Sequence, residues 1–484
     1  MAEDDSYIAT RRLGSPCHDP HHDKALCGQL QAAWTLPELH YTTPSSIMAP
    51  FFANDSCDPF HPATTPCSLG NYVPFAVNVS HPNHVSTALS FASTHNIRLV
   101  IRKTGHDYQG KSTGAGALAL WMHNLKGIDV QHDYADAFYT GPAIRMGAGV
   151  QGFEAYAAAD RNEYQAVGGE CPSVGIAGGY TQGGGHSALS SRYGLAADQA
   201  LAWEVVDGLG RHLVATRDNE HKELYWSLSG GGGGNYAVVL GLTARLHRGT
   251  AVSGLNLTFE RGELNNDVFF EAVGLFQTVQ GALADSGAMG ISIFTNESLS
   301  LKPFRDGLYR LGVEYTLYPG EFASYLAQFE SMQGPIDVGI AQYGGNEDLT
   351  AAYRHIVEDG AIVINVGLNV SPEVVGDVDN AVLPAWRDTL RRMTEDYVPR
   401  PAELAPESGA YLNEGDFRQS DFQRAFYGQN YDRLRSVKAR YDPDDLFYAL
   451  TGVGSKEWTQ RADGRLCRVE TGTSYTWREL SREL

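Results

Sequence analysis

Basic residues are scarce: 37 lysines and arginines stand against 57 aspartates and glutamates, leaving a net charge of −20. Such a surface repels phosphate backbones and anionic lipid heads, so nucleic-acid and membrane-surface roles are set aside. Long apolar runs are missing too, since no stretch approaches the roughly 18 consecutive apolar residues of a bilayer-spanning helix. The chain reads as soluble. Met1 to Arg12 is charged and polar without an apolar centre, so no signal peptide is visible at this N-terminus. Cysteine is limited to six residues, CxxC spacing is absent, and neither an internal repeat nor a low-complexity tract is present.

What the chain has is length, apolar content and glycine. Its 484 residues, 43% hydrophobic, suffice for two or three packed units. Glycine reaches 53, above the roughly 7% of an average chain, and is clustered. Four cysteines form two pairs of identical spacing, Cys17 with Cys27 and Cys57 with Cys67. Short loops closed this way suit an exported protein. The rival is a metal site using His18, His21 and His22, which the missing CxxC spacing disfavours. Five Asn-x-Ser/Thr sequons, at Asn54, Asn78, Asn256, Asn296 and Asn369, agree with a secretory route. The expectation is a secreted protein whose signal lies outside this sequence. Cys171 and Cys467 have no evident partner.

Along the chain, Tyr72 to Ser80 alternates as a strand, a helix carries Val85, Ala88, Leu89 and Ala92 on one face, and Ile97 to Ile101 is a second strand. Strand-helix-strand units bring loops to one sheet edge, where ligands bind. The loop that follows, Arg102 to Ser112, is rich in turn formers and backbone donors. Ala143 to Met146 reads as a strand, then Gly147-Ala148-Gly149-Val150-Gln151-Gly152 matches GxGxxG before a helix through Ala159. A nicotinamide-binding Rossmann unit fails at the next step, because the chain enters Gly168-Gly169-Glu170-Cys171-Pro172 where an acidic strand end is required. Gly175 to Gly185 holds so many glycines that close approach of a large planar or anionic ligand is the economical explanation. Strands flank the turn Asp207 to Gly210. Gly230 to Gly234 precedes the buried strand Ala237 to Leu240; its alternative reading is a flexible loop at a domain edge. From about 255 to 400, alternating aromatic and charged segments suit an antiparallel sheet backed by helices.

Taken together, Cys57-Asp58-Pro59-Phe60, Thr104-Gly105-His106-Asp107-Tyr108, Cys171-Pro172-Ser173-Val174-Gly175, Leu224-Tyr225-Trp226, Gly230 to Gly234 and Tyr441-Asp442-Pro443 resemble the berberine-bridge-enzyme-like group of the vanillyl-alcohol-oxidase superfamily. The likeness spans nearly the whole chain and is nearest to secreted fungal members, including isoamyl-alcohol-oxidase-like and ergot-alkaloid-pathway proteins. It implies an α+β fold in three parts. An FAD-binding domain of the PCMH type covers 1–255, with a disulfide-rich segment over 1–70; a substrate domain of antiparallel sheet backed by helices is inserted over 256–410; 411–484 completes the active site and the FAD domain. It also implies FAD bonded twice, through His106 and Cys171. The expected cofactor wall comprises Arg102, Thr104, Gly105, Asp107 and Ser112 from the first loop, and Val174, Gly175, Gly178, Gly179, Tyr180, Gly184 and His186 from the glycine segment. Val239 and Asn430 complete it.

Flavin oxidation needs a proton acceptor beside the hydride donor. The resemblance sets Tyr108 on the substrate cavity. Many relatives end their C-terminal Tyr-x-Asn-Tyr motif in a tyrosine that can act as base, whereas this chain has Tyr411-Leu412-Asn413-Glu414-Gly415-Asp416. A carboxylate with an ordinary pKa near 4.3 is already ionised at neutral pH and a phenol near 10 is not. Glu414 or Asp416 is therefore the expected acceptor, with Tyr411 and Asn413 shaping the site; the alternative is that Glu414 only satisfies buried donors. Val174, three residues after the covalent cysteine, is the small side chain found in relatives that react quickly with dioxygen. The expected function is an FAD oxidase acting on an alcohol, carbohydrate or secondary metabolite and releasing hydrogen peroxide, a monomer without nucleic-acid or membrane partners. The alternatives are a biosynthetic cyclase, isomerase or dehydrogenase that releases no peroxide and, from outside enzymology, an extracellular binding protein without a flavin.

Overall fold

The computed structural model describes residues 6–260, 265–294, 298–300, 308, 311, 313–332, 363–376, 378–387, 409–461 and 464–469. The sequon at Asn296 lies outside them. In the N-terminal segment both expected disulfides form, Cys17–Cys27 and Cys57–Cys67. Helix α1 (Lys24–Ala33) carries Cys27, and α2 (Pro50–Ala53) precedes the second disulfide. The His18 ring meets Thr65 O at 2.8 Å and Asp58 O at 2.9 Å, so it ties the first disulfide loop to the second.

The first sheet contains β1 (Tyr7–Ala9), β2 (Phe75–Asn78), β3 (Leu99–Arg102) and β4 (Leu118–Trp121), in the order β1-β2-β4-β3. β4 is parallel to both β2 and β3, so the strands of the strand-helix-strand unit are not neighbours but flank β4. β2 is shorter than the alternation suggests because Tyr72 is taken by a turn, its N–H donating to Leu69 O. Helix α3 (Pro82–His95) starts on a proline in its first turn and stops at Asn96, which takes the left-handed conformation at φ 51°. Its face of Val85, Ala88, Leu89 and Ala92 packs in one cluster with Leu118 and Leu120 of the first sheet and Val206 and Val238 of the second. Each such fully buried large side chain stabilises the fold by about 1.5–3 kcal/mol.

The second sheet is antiparallel: β5 (Ile128–Ala135), β6 (Thr140–Gly147), β7 (Ala200–Asp207), β8 (His212–Thr216) and β9 (Ala237–Arg245), in the order β5-β6-β9-β7-β8. Helix α4 (Gly152–Asp160) follows β6. Antiparallel pairing of β6 with β5 and β9 excludes a Rossmann unit, which needs parallel strands. The glycines there serve packing: a Cβ at Gly149 would lie 2.0 Å from His123 O, and one at Gly147 would lie 2.3 Å from Leu125 O.

A third sheet has β10 (Val252–Glu260), β11 (Gly290–Phe294), β12 (Ser298–Ser300), β13 (Thr316–Phe322) and β14 (Val363–Gly367), antiparallel throughout in the order β13-β10-β12-β11-β14. Helix α6 (Asn266–Asp285), which follows α5 (Lys222–Leu228) of the second-sheet region, packs Phe269, Phe270 and Phe276 with Leu257 and Phe259 of β10. Helix α7 (Tyr325–Met332) carries Tyr325 and Phe329 back to Tyr156 of α4. This is the expected insert, a sheet backed by helices. The chain then returns through 409–430 to α8 (Tyr431–Tyr441), whose Leu434, Val437 and Tyr441 share the core of the second sheet. No helix among the described residues is long and apolar enough to cross a membrane.

Candidate active site

A cavity of about 370 Å³ opens where distant stretches meet: the loop after β3, the glycine segment from Gly169, the Gly233–Gly234 turn before β9, and the tail at 411–414, with Met48 and Ala49 at one side. The loop is shaped by its own residues. Arg102 is buried, its guanidinium donating to Thr43 O at 3.2 Å and His40 O at 3.1 Å. Gly105 sits over it at φ 89°, where a Cβ would come within 2.5 Å of the guanidinium nitrogens. The Asp107 carboxylate accepts from the backbone N–H groups of Gln109 (3.0 Å) and Ser112 (2.9 Å), which rounds the loop. Gln109 then donates to Leu412 O and accepts from the Thr451 hydroxyl, stapling the loop to the tail.

His106 and Cys171 arrive from different elements and converge on one hydroxyl. Ser173 Oγ lies 2.8 Å from His106 Nε2 and 3.5 Å from Cys171 Sγ. The Cys171–Gly175 turn is held from below by the GxGxxG stretch: Gly152 N–H donates to Val174 O, Phe153 N–H to Pro172 O, and the Gln151 side chain to Ser173 O at 2.8 Å. Burial, with Arg102 and His40 nearby, brings the His106 imidazole down to about 4, so it is neutral at physiological pH.

The floor fits a large planar, anionic group. A Cβ at Gly175 would meet nothing closer than 3.6 Å and one at Gly179 nothing closer than 4.0 Å, so protein packing does not require glycine at either position; it leaves open floor. Gln182 Nε2 is used on Ala177 O and Gly178 O, while its buried Oε1 has no protein partner. Lys103 is buried with its ammonium on Ala177 O, and no carboxylate among the described residues pairs with it. Burial pulls Lys103 down to about 7 and Lys111 to about 8, the latter against the charge of Asp107. A cavity lined by two lysines in so acidic a chain is matched to a diphosphate-bearing ligand.

His186, also on the cavity wall, lies between two carboxylates. Its Nδ1 is 3.4 Å from Glu170 Oε2 and its Nε2 is 3.2 Å from Glu414 Oε1. The Glu170 contact is an ion pair without hydrogen-bond alignment, since Nδ1 finds no well-aimed acceptor. Burial alone would lower His186, but the two carboxylates outweigh it and hold the imidazole well above its usual range. The Tyr411 hydroxyl accepts from Gly185 N–H at 3.1 Å and from Asn413 Nδ2 at 2.8 Å. Burial first, then Glu414, pushes Tyr411 far above the ordinary phenol range; burial does the same to Tyr180, whose hydroxyl donates to His186 O at 2.7 Å. Tyr108, 46% exposed at the mouth, is pushed up to about 12 by burial, Glu414 and Cys171. Every tyrosine on the wall therefore stays a phenol across the neutral range.

Most expected site residues line the cavity: Thr104, Gly105, His106, Asp107, Tyr108, Ser112, Cys171, Val174, Gly175, Gly179, Tyr180, His186, Val239, Tyr411, Asn413 and Glu414. Five do not. Arg102 and Gly178 lie behind the wall, and at Gly184 (φ 117°) an added Cβ would meet Tyr411 at 3.7 Å and Leu195 and Val382 at 3.8 Å. Asp416 turns outward to Arg418. Asn430 donates its amide to Ala381 O and Val382 O, bracing the segment behind the cavity. Sequence reasoning missed Lys103, Lys111, Glu170 and Gln182. The lysines had a signal, two cations within one turn-rich loop of an acidic chain; Glu170 had only its place beside Cys171.

The family model described as FAD binding domain matches residues 73–216, and that described as berberine and berberine like matches residues 410–454. The FAD-linked oxidoreductase patO of Penicillium expansum is 44% identical over 515 residues, covering 96% of this chain and 90% of that protein. The bifunctional decalin synthase calF of Penicillium decumbens is 35% identical over 525 residues, covering 95% and 91%. The crystal structure of the VAO-type flavoprotein MtVAO615 from Myceliophthora thermophila C1 superposes with a TM-score of 0.85 at 38% identity, over 96% of this chain and 95% of that one. Glucooligosaccharide oxidase from Acremonium strictum, whose FAD is described as 6-S-cysteinyl, 8α-N1-histidyl, shares the fold with a TM-score of 0.59 at 16% identity, over 79% and 91%. The chain belongs to the berberine-bridge-like, vanillyl-alcohol-oxidase-type family of FAD-linked oxidoreductases.

Proposed function

We propose that this FAD-linked oxidoreductase is an oxidase whose FAD is tethered at both His106 and Cys171, with Glu414 as the proton acceptor for a substrate of the alcohol, carbohydrate or secondary-metabolite class. The convergence of His106 and Cys171 on Ser173 Oγ, at one place on the cavity wall, carries this reading. The same pair of residue types holds FAD in the Acremonium strictum oxidase. The chemistry FAD supplies when bound is acceptance of a substrate hydride and delivery of the electrons to dioxygen as hydrogen peroxide. The chain's own part is separate. Neutral His106 would offer a ring nitrogen for bonding, the open floor at Gly175 and Gly179 would admit a ring, and Lys103 and Lys111 would meet the diphosphate. Glu414, at the open end of its cluster, receives the proton that leaves with the hydride. Small Val174 on the wall leaves room for dioxygen.

Residues 1–255 and 411–484 would form the cofactor domain and 256–410 the substrate domain of a monomer. The two disulfides and the exposed Asn54 and Asn256 sequons support export from the cell. A second reading, biosynthetic use of the flavin without peroxide, is favoured by the likeness to calF.

Acid precipitation tests the tether. The wild-type pellet should stay yellow, His106→Ala and Cys171→Ala should each keep flavin by the remaining bond, and the double variant should release it. A colourless wild-type pellet overturns the double linkage, and substrate turnover without peroxide favours the second reading.

A further inference from the structure

We propose that Glu170 and His186 are positioning residues for the proton step, His186 bridging the two carboxylates so that Glu414 is kept ionised yet only partly neutralised. This rests on Glu414 being the proton acceptor. Glu170 and His186 come from the two ends of the glycine segment and Glu414 from the tail, and the three meet in the fold at 3.4 and 3.2 Å. Glu414 is the most exposed of them at 34%, against 15% for Glu170 and 14% for His186. All three line the cavity, and Glu414 is the one most open to a substrate.

Charge bookkeeping shows what the second carboxylate does. A lone Glu414–imidazolium pair is neutral and would become a buried cation on accepting a proton, which is costly in a partly desolvated site. With Glu170 added, the cluster holds net −1 before the step and zero after it. Only a proton moves: the substrate's acidic bond to hydrogen breaks, its electron pair stays on the substrate, and the proton ends on Glu414. His186 balances part of the charge on Glu414, and Glu170 keeps the cluster from becoming cationic. Other titratable groups face the cluster from every side. They are Cys171 beside Glu170, Tyr180 on the His186 carbonyl, Tyr411 edge-on to the imidazole at 5.4 Å, Tyr156 and Tyr325 beside Glu170, and Tyr108 beside Glu414. The phenols among them are all raised, so they keep their protons across the neutral range.

The test uses the flavin-loaded protein and two readouts. In holoenzyme labelled with ¹⁵N-histidine, the resonance missing from His186→Gln identifies the residue. Its midpoint should lie well above the ordinary imidazole range, and Glu170→Gln and Glu414→Gln should each lower it by at least about one pH unit. For the second readout, flavin reduction is followed by stopped flow, using the compound with the highest peroxide yield from a panel of benzylic alcohols, aliphatic alcohols and oligosaccharides. Its acid limb should move up by about one unit in His186→Gln and down in Glu170→Gln, with His186→Lys close to wild type. Retained flavin absorbance checks that each variant is folded. A His186 midpoint near 6.5 in the wild type, or limbs that shift in the same direction or not at all, overturns the clamp. Glu414→Gln is expected to slow reduction by about 10²- to 10⁴-fold. An unchanged rate instead sinks the acceptor reading itself, which separates that failure from failure of the clamp alone.

Discussion

Lys103 brings a cation into the cavity wall with only the Ala177 carbonyl to meet it. Burial lowers it to about 7 from an ordinary 10.5, so between those values the unfolded chain binds a proton that the folded, flavin-free chain does not. Stability of flavin-free protein therefore rises with pH across that window through this residue. Lys103→Met should be more stable than wild type near pH 7 and should remove part of the rise, as read from thermal midpoints at pH 7 and 9 of protein made under riboflavin limitation. The same variant should retain less flavin, because a diphosphate would lose one of the two lysines lining the cavity. A midpoint difference that does not change with pH refutes the assignment. Little of this was visible in the sequence, where a lysine in a polar loop reads as a solvated one. The loop itself was legible, because Gly105, Asp107 and Ser112 are the residue types a tight, donor-rich turn requires.

Two glycine-bearing elements look alike in sequence and differ in what their missing side chains leave room for. At Gly149 an added Cβ would strike His123 O, whereas at Gly175 the space is open and φ is −74°, ordinary for any residue. Gly149→Ala should cost about 3 kcal/mol or more through backbone displacement. Gly175→Ala should change stability by no more than about 0.5 kcal/mol yet lower flavin content, measured as the ratio of flavin to protein absorbance. Equal stability losses in the two would mean that Gly175 serves packing and not a ligand. The periodic helix α3 and the alternating strand β2 were readable because one buried face repeats at a fixed spacing. The insertion of β4 between β2 and β3 was not, since strand order depends on contacts between distant segments.

At the scale of the whole molecule, the cavity is assembled from residues as far apart as Met48 and Glu414, and the aromatic contact of Phe51 and Phe52 with Phe417 ties the N-terminal segment to the tail. That N-terminal segment carries both disulfides. Exported material should lose mass on enzymatic deglycosylation, with glycans at Asn54 and Asn256, whose side chains face solvent, and gain about four hydrogen masses on full reduction of the denatured chain. Intact masses unaltered by both treatments refute export.

By itself the sequence determined the family, the binding loops, the tether candidates and the presence of a carboxylate in the tail, because these rest on residue types at short spacing. Only the tertiary structure decided that Glu414 and not Asp416 faces the cavity, that the GxGxxG stretch supports the Cys171 turn, and that Glu170, His186 and Glu414 form one cluster. Those outcomes depend on which distant segments share a wall, and burial there alters proton affinities that no local pattern encodes.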